Sequence, residues 1–131
     1  MAQPEIHFKV IPHSEQRYDT CGDYYFENGA WEFRVSDLGD PTMEQAIFLH
    51  ELVEWSLAMA KGITEEDISR FDFKFENLRK ANPILIGDME PGDMITAPYH
   101  KEHVFATKIE REFIEAHFYN WEIYSDRVND L

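Results

Sequence analysis

The segment over residues 41–63 constrains the fold more than any other part of the sequence. It predicts one long helix, because Asp40 can cap the first turn, Pro41 suits the first helical position, and Gly62 supplies the end. Between residues 46 and 60 the segment is apolar almost all the way round, which is typical of a helix in the protein interior. We therefore expect the rest of the chain to pack around this central helix.

Besides Ser56, three ionisable residues interrupt the apolar run: His50, Glu51 and Glu54. They fall within one sector of roughly 100° on the helix, and His50 and Glu54 lie one turn apart, which is the ligand spacing for one metal ion. Glu44 and Lys61 lie on or near the same sector, so the sequence equally allows a solvated polar stripe on an amphipathic helix. Both interpretations are open at this point.

Composition limits the class of protein. The 131 residues suit a single domain over 1–131, and 44% hydrophobic with 15% aromatic residues indicates a folded globule. A formal net charge of −14 argues against direct nucleic-acid binding, because phosphates are repelled. The single cysteine, Cys21, excludes an internal disulfide and favours a reducing, cytoplasmic location. The sequence has no signal-peptide pattern and no apolar run of membrane-spanning length.

The segments before the central helix predict a small antiparallel sheet. Residues 5–11 alternate apolar and polar, which predicts a strand with Ile6, Phe8 and Val10 buried. Two further strands, at residues 23–26 and 31–35, are joined by Asn28-Gly29, the strongest short signal of a hairpin. Strands followed by helices indicate an α+β fold in which this sheet packs on the central helix and on a second long helix.

The segments after the central helix predict mainly helices. Residues 64–79 begin with a Thr64 cap and favour a helix over a strand, and residues 81–97 are rich in Pro and Gly and predict a long irregular loop, a type that is often functional. Residues 99–118 predict the second long helix, and residues 121–128 a short terminal one. The expected apolar face of the second long helix contains Phe105, Ile109, Phe113 and Ala116, and a neighbouring face carries His103, Ala106 and Glu110.

The His50-Glu51-Leu52-Val53-Glu54 segment resembles the motif of the zincin class of metallopeptidases, in which a His-Glu-x-x-His helix holds zinc. The layout is similar too, with a small sheet before the motif helix and a later helix bearing another ligand. The segment also resembles a helix of small uncharacterised phage and bacterial proteins. Here Glu54 stands where zincins have the second histidine. Two histidines and one glutamate still form an accepted catalytic zinc set.

The resemblance implies a zincin-like fold and a metal-dependent hydrolase of peptide or protein substrates. His50 and Glu54 would bind the metal, Glu51 would act as general base, and the later helix would supply the third ligand. His103 is the first choice for that ligand, with His100 or Glu110 as alternatives. Zinc is the expected metal, with iron and manganese as alternatives, since two histidines and a carboxylate also suit Fe(II).

Two other functions remain open from the sequence. The net charge of −14 also fits a non-enzymatic acidic protein that binds a basic partner or imitates the charge of DNA, as an inhibitor of the phage anti-defence type would. A zincin-like fold whose polar helix residues are only structural is the third hypothesis.

Overall fold

A computed structural model describes residues 4–131, and the first three residues of the domain predicted over 1–131 lie outside this range. The fold is α+β, as predicted, with a three-stranded sheet followed by helices. The strands are β1 (Ile6–Ile11), β2 (Gly22–Glu27) and β3 (Ala30–Ser36). The helices are α1 (Pro41–Ala60), α2 (Glu65–Ala81), the one-turn α3 (Pro83–Ile86), α4 (His100–Ala116) and α5 (Trp121–Asn129), with short 3-10 turns at His13–Glu15 and Pro91–Asp93.

The sheet has the order β1-β3-β2 and is mixed, which corrects the prediction of an antiparallel sheet. β2 and β3 form the predicted antiparallel hairpin, and its turn residues Asn28 and Gly29 have φ values of 52° and 82°. β1 instead runs parallel to β3, with Phe8 opposite Phe33. The pairing is parallel because residues 12–21 cross from one edge of the sheet to the other at the same end of β3, so that β2 runs opposite to β1 and β3 runs in the direction of β1.

β1 lies at an edge of the sheet and is more exposed than the alternating pattern predicts. Phe8 and Val10, expected in the core, are 38% and 41% exposed. The central strand β3 is deeply buried, with Phe33 and Val35 fully covered. The difference arises because α1 covers β3 and β2, so that β1 gains only a partial apolar contact, in which the ring of Phe8 stacks on Phe48.

The central helix forms as its end signals predict. The side chain of Asp40 accepts hydrogen bonds from the N–H groups of Thr42 and Met43, and Gly62 follows the helix with φ of 77°. α1 packs on the sheet on one side and on α4 on the other. Its N-terminal half belongs to one apolar cluster with Ala46 and Ile47, and its C-terminal half to another with Trp55 and Ala58. His50 and Glu54 lie between these two clusters.

The helical segments after α1 are largely as predicted. Thr64 caps α2 by accepting a hydrogen bond from the N–H of Asp67. Phe71, Phe73 and Phe75 alternate along the sequence as in a strand, but they lie in this helix. Within the predicted irregular loop the structure adds only α3 and the turn Pro91–Asp93. Within the described residues no helix combines the length and apolar character needed to cross a bilayer.

The predicted apolar face of α4 is wrong. Phe105 is 44% exposed, whereas His103 and Ala106 are buried against α1. The small side chain of Ala106, fully covered, lets the two helices approach closely. The buried face is therefore the one that brings polar groups to α1, and the aromatic rings of α4 lie nearer the surface.

The close approach of α1 and α4 gives a direct test. Ala106→Leu adds volume where no space is left, and we expect the free energy of unfolding to fall by about 1–3 kcal/mol. Ala116→Leu makes the same chemical change at an exposed position of the same helix, and it should change stability by no more than about 0.5 kcal/mol. Urea denaturation of both variants measures the difference, and equal effects would contradict the packing described here.

Candidate metal centre

Three side chains from two helices meet in the interior. His50 Nε2 lies 3.2 Å from Glu54 Oε2 and 3.2 Å from His103 Nδ1, and His103 Nδ1 lies 2.9 Å from Glu54 Oε2. His50 and Glu54 are one turn apart on α1, and His103 lies in the first turn of α4. All three residues are 5% exposed, so the solvated-stripe interpretation of His50 and Glu54 is wrong.

Each of these three side chains has a second polar atom, and each second atom has a partner outside the cluster. His103 Nε2 lies 3.1 Å from Asp93 Oδ1, and the hydroxyl of Tyr24 donates to Glu54 Oε1 over 2.9 Å. His50 Nδ1 lies 2.8 Å from a carboxylate oxygen of Glu110. These partners fix the orientation of the three groups, as outer partners do around metal ligands.

The surrounding charges set the protonation of the cluster. Burial disfavours charge on the imidazole of His103, but Asp93 and Glu54 outweigh it and raise its pKa to about 10. Burial likewise opposes the charge of Glu54, yet His103 and His50 lower its pKa to about 2. The pKa of His50 is raised as well, because the carboxylates of Glu110 and Glu54 outweigh its burial. Glu54 is therefore the ionised centre of the cluster.

Glu51, the predicted general base, lies beside the cluster and is not part of it. Within residues 4–131 its carboxylate accepts no hydrogen bond, and burial, followed by the charge of Glu54, raises its pKa well above that of an ordinary glutamate. It lines a cavity of about 30 Å³ together with Tyr24, Glu54 and His103. That volume is enough for a water-sized molecule.

Two glycines make room for the polar groups. A Cβ atom at Gly92 would lie 2.5 Å from His103 Nδ1, and a Cβ atom at Gly22 would lie 2.7 Å from Glu51 Oε1. These separations are shorter than any ordinary contact, so a side chain at either position must displace its neighbour. Gly22 in β2 thus admits Glu51, and Gly92 in the loop before α4 admits His103.

The alternative third ligands lie elsewhere. His100 Nδ1 donates to the carbonyl of Gly92 over 2.9 Å and points away from the cluster. Glu110 contacts the outer nitrogen of His50 and accepts a hydrogen bond from the hydroxyl of Tyr124. The structure thus brings together His50, Glu54 and His103, the set that the sequence favoured, and leaves His100 and Glu110 outside the cluster.

The remaining histidines have other partners. The ring nitrogens of His7 contact Glu5 and Glu32 at the edge of the sheet, and His117 donates to the carbonyl of Phe113. His13 lies 2.8 Å from both Ser36 Oγ and Asp19 Oδ1. A histidine between a serine and an aspartate is also the arrangement that activates a catalytic serine. Ser36 is fully buried, however, and its hydroxyl donates to the carbonyl of Thr20, so this chain of contacts holds the loop to the sheet.

The sequence interpretation missed the outer partners of the cluster. Asp93 and Glu90 lie on the predicted irregular loop, and with His103 Nε2 they form a second group of ligand-type atoms within 4.8 Å of one another. The length of that loop was the signal that it carries function. Tyr24 had no comparable signal, because its contact with Glu54 depends on how the hairpin packs on α1.

A buried carboxyl, Asp72 of α2, lines the same cavity as Glu51. It accepts hydrogen bonds from the hydroxyls of Tyr18 and Tyr99. Burial raises the pKa of Asp72 from 3.8 to about 7, although both tyrosines oppose the rise. Near neutral pH this carboxyl therefore changes its charge in the wall of the cavity.

Comparisons with models of protein families, with curated protein sequences and with solved structures found no match to this chain. The zincin-like resemblance therefore stays a prediction from the motif and the layout.

The pKa of Asp72 predicts a specific dependence of stability on pH. A folded-state pKa above the unfolded value means that the folded chain binds the proton more tightly, so this carboxyl lowers stability as pH rises from about 4 to about 7. Asp72→Asn removes the effect. The melting temperature of this variant minus that of the parent should therefore increase as the pH rises from 5 to 8. Asp126→Asn, at an exposed position of α5, is the control. A difference from the parent that is constant with pH would contradict the prediction.

Proposed function

We propose that the chain binds one divalent metal ion through His50 Nε2, Glu54 Oε2 and His103 Nδ1, with zinc as the first choice. The observation that carries the proposal is the convergence of these three atoms within 2.9–3.2 Å of one another in the protein interior. Ligand atoms around a tetrahedral zinc ion, each about 2.0–2.1 Å from the metal, lie about 3.3 Å apart. Little movement of the side chains is needed to take up the ion.

The donor set and its surroundings support the same proposal. Two imidazoles and one carboxylate suit zinc in a catalytic site and also Fe(II), with manganese a further alternative. Asp93, Glu110 and Tyr24 hold the atoms that face away from the ion, which is the arrangement that raises metal affinity. No cysteine lies in the donor set, so a closed thiolate site for structural zinc is not formed here.

We assign a hydrolytic reaction to this site, with peptide or protein substrates as the class that the motif implies. A bound zinc ion polarises a carbonyl group and lowers the pKa of a water molecule. Glu51 would accept the proton of that water, because its carboxylate faces the adjoining cavity and has no hydrogen-bond partner within the described chain. A positive ion nearby would also favour the ionised form of Glu51, against the effects of burial and of Glu54.

Two substitutions separate binding from catalysis. Glu51→Gln keeps the size of the side chain and removes the base, so metal content should persist while peptide hydrolysis falls by a factor of about 10² or more. His50→Ala removes a ligand, so metal content should be lost together with the stability that a bound ion adds. Metal analysis of protein purified without an affinity tag, melting temperature and cleavage of a mixture of quenched fluorescent peptides are the measurements.

The same experiment decides against the proposal if the parent takes up no zinc, iron or manganese. In that case the acidic binding protein becomes the better hypothesis. Its complex with a basic partner should then weaken steeply as salt is added.

The two glycines provide a second pair of variants with different expected results. Gly92→Ala should displace the imidazole of His103 and reduce zinc affinity, since the new Cβ would lie 2.5 Å from Nδ1. Gly22→Ala should displace Glu51 and lower hydrolysis while zinc still binds. Zinc titration by calorimetry and the peptide assay measure the two effects. Loss of zinc binding in both variants, or in neither, would show that these glycines do not control the positions of His103 and Glu51.

A further inference from the structure

The hydroxyl of Tyr24 reaches the proposed metal ligand Glu54 from the sheet, whereas the other proposed ligands lie on helices. Tyr24 lies on β2, is 3% exposed, and packs its ring against Phe33 in the apolar cluster that contains Trp55 and Ala58. From this fixed position its hydroxyl donates a hydrogen bond of 2.9 Å to Glu54 Oε1. The sheet therefore holds one oxygen of a carboxylate whose other oxygen faces the two histidines of the helices.

The two oxygens of Glu54 have divided roles as a result. Oε2 lies 2.9 Å from His103 Nδ1 and 3.2 Å from His50 Nε2, whereas Oε1 faces Tyr24. A carboxylate can bind a metal through one oxygen or through both. Binding through both would turn Oε1 toward the ion and away from the buried hydroxyl of Tyr24, which would weaken this hydrogen bond and is unfavourable.

We propose that Tyr24 is a positioning residue that restricts Glu54 to binding the ion through a single oxygen and so keeps one coordination position open. This inference rests on the proposed metal site at His50, Glu54 and His103. Three protein atoms with one open position are the arrangement of catalytic zinc, whereas structural zinc sites are closed by four protein ligands.

The open position would face the cavity beside Glu51. Glu51, Glu54, His103 and Tyr24 all line this cavity, whose volume of about 30 Å³ has room for a water-sized molecule. If Glu54 supplied both oxygens, its second oxygen would compete with that molecule for the ion. The bond from Tyr24 thus connects the packing of the hairpin with the access of water to the reacting side of the site.

Cobalt(II) in place of zinc tests the inference without an activity assay, because its visible absorption is intense when four-coordinate and weak at higher coordination numbers. The parent should show the intense bands, and azide should change them by entering the open position. Tyr24→Phe keeps the ring and removes the hydroxyl. It should bind cobalt in the same stoichiometry, with absorption reduced severalfold and little response to azide.

Tyr18→Phe is the matched control. It removes the same atom from the wall of the same cavity, but its hydroxyl donates to Asp72 rather than to Glu54. Its cobalt spectrum and its azide response should equal those of the parent. A change in Tyr18→Phe as large as that in Tyr24→Phe would overturn the inference, because a general disturbance of the cavity would then explain both.

The remaining outcomes separate this inference from the metal site itself. A parent that binds no cobalt or zinc refutes the proposed site and the inference together. A parent that binds cobalt but shows weak bands, or no response to azide, refutes the inference alone and needs no variant. Tyr24→Phe with the parental spectrum, or with no bound cobalt, also refutes it, because the inference requires binding through both oxygens when the hydroxyl is absent.

Discussion

The charge of Glu54 is the interaction on which the interior of this protein depends. A buried carboxylate is stable only when opposite charges and hydrogen-bond donors surround it, since burial without them costs several kcal/mol. Here the partners come from three elements: His50 from the same helix, His103 from α4 and Tyr24 from β2. Without α4 the carboxylate would lose the imidazole of His103, and without β2 it would lose the hydroxyl donor of Tyr24, so these contacts tie the sheet to both long helices.

The location of Glu54 explains why such a costly group is tolerated. Trp55 and Ala58 pack in one apolar cluster and Ala46 and Ile47 in another, and the polar residues of α1 lie between them. The two clusters lower the exposure of the polar groups to water, which strengthens each electrostatic contact. Apolar packing on both halves of α1 therefore fixes the position of the site. Its ligand-type atoms lie on helices, which position them more rigidly than loops would.

The features that could be predicted from the sequence are those that a single segment encodes. Asp40, Pro41 and Gly62 mark the ends of α1 locally, Asn28-Gly29 marks the hairpin, and the helical period places His50 beside Glu54. The features that could not be predicted depend on contacts between segments. β1 alternates like a half-buried strand, but its exposure is decided by how far α1 extends over the sheet.

The buried face of α4 shows the same limit. A helical wheel favours Phe105 for burial, because it counts apolar area alone. The charge of Glu54, carried by a different helix, needs His103 as its partner, and the small Ala106 permits the approach that this contact requires. Asp93 and Tyr24 meet a related need, because Asp93 contacts His103 Nε2 and Tyr24 donates to Glu54 Oε1, the atoms that face away from the cluster. Local patterns do not carry this information, because the need arises only after α1 and α4 have packed.

The distances in the cluster bear on whether protons or a metal ion occupy it. Carboxylates favour a proton on each imidazole, and that balance stabilises the cluster when no ion is bound. His50 Nε2 and His103 Nδ1 lie only 3.2 Å apart, however, and only one hydrogen atom fits between two nitrogens at that distance. Two N–H groups would have to share Glu54 Oε2 as acceptor while facing one another with like charge. The proposed divalent ion would satisfy all three atoms with no hydrogen between them, and the carboxylates of Asp93 and Glu110 would then stabilise the remaining N–H of each ring. The geometry thus disfavours two adjacent imidazolium groups, and it agrees with the single central cation that we propose.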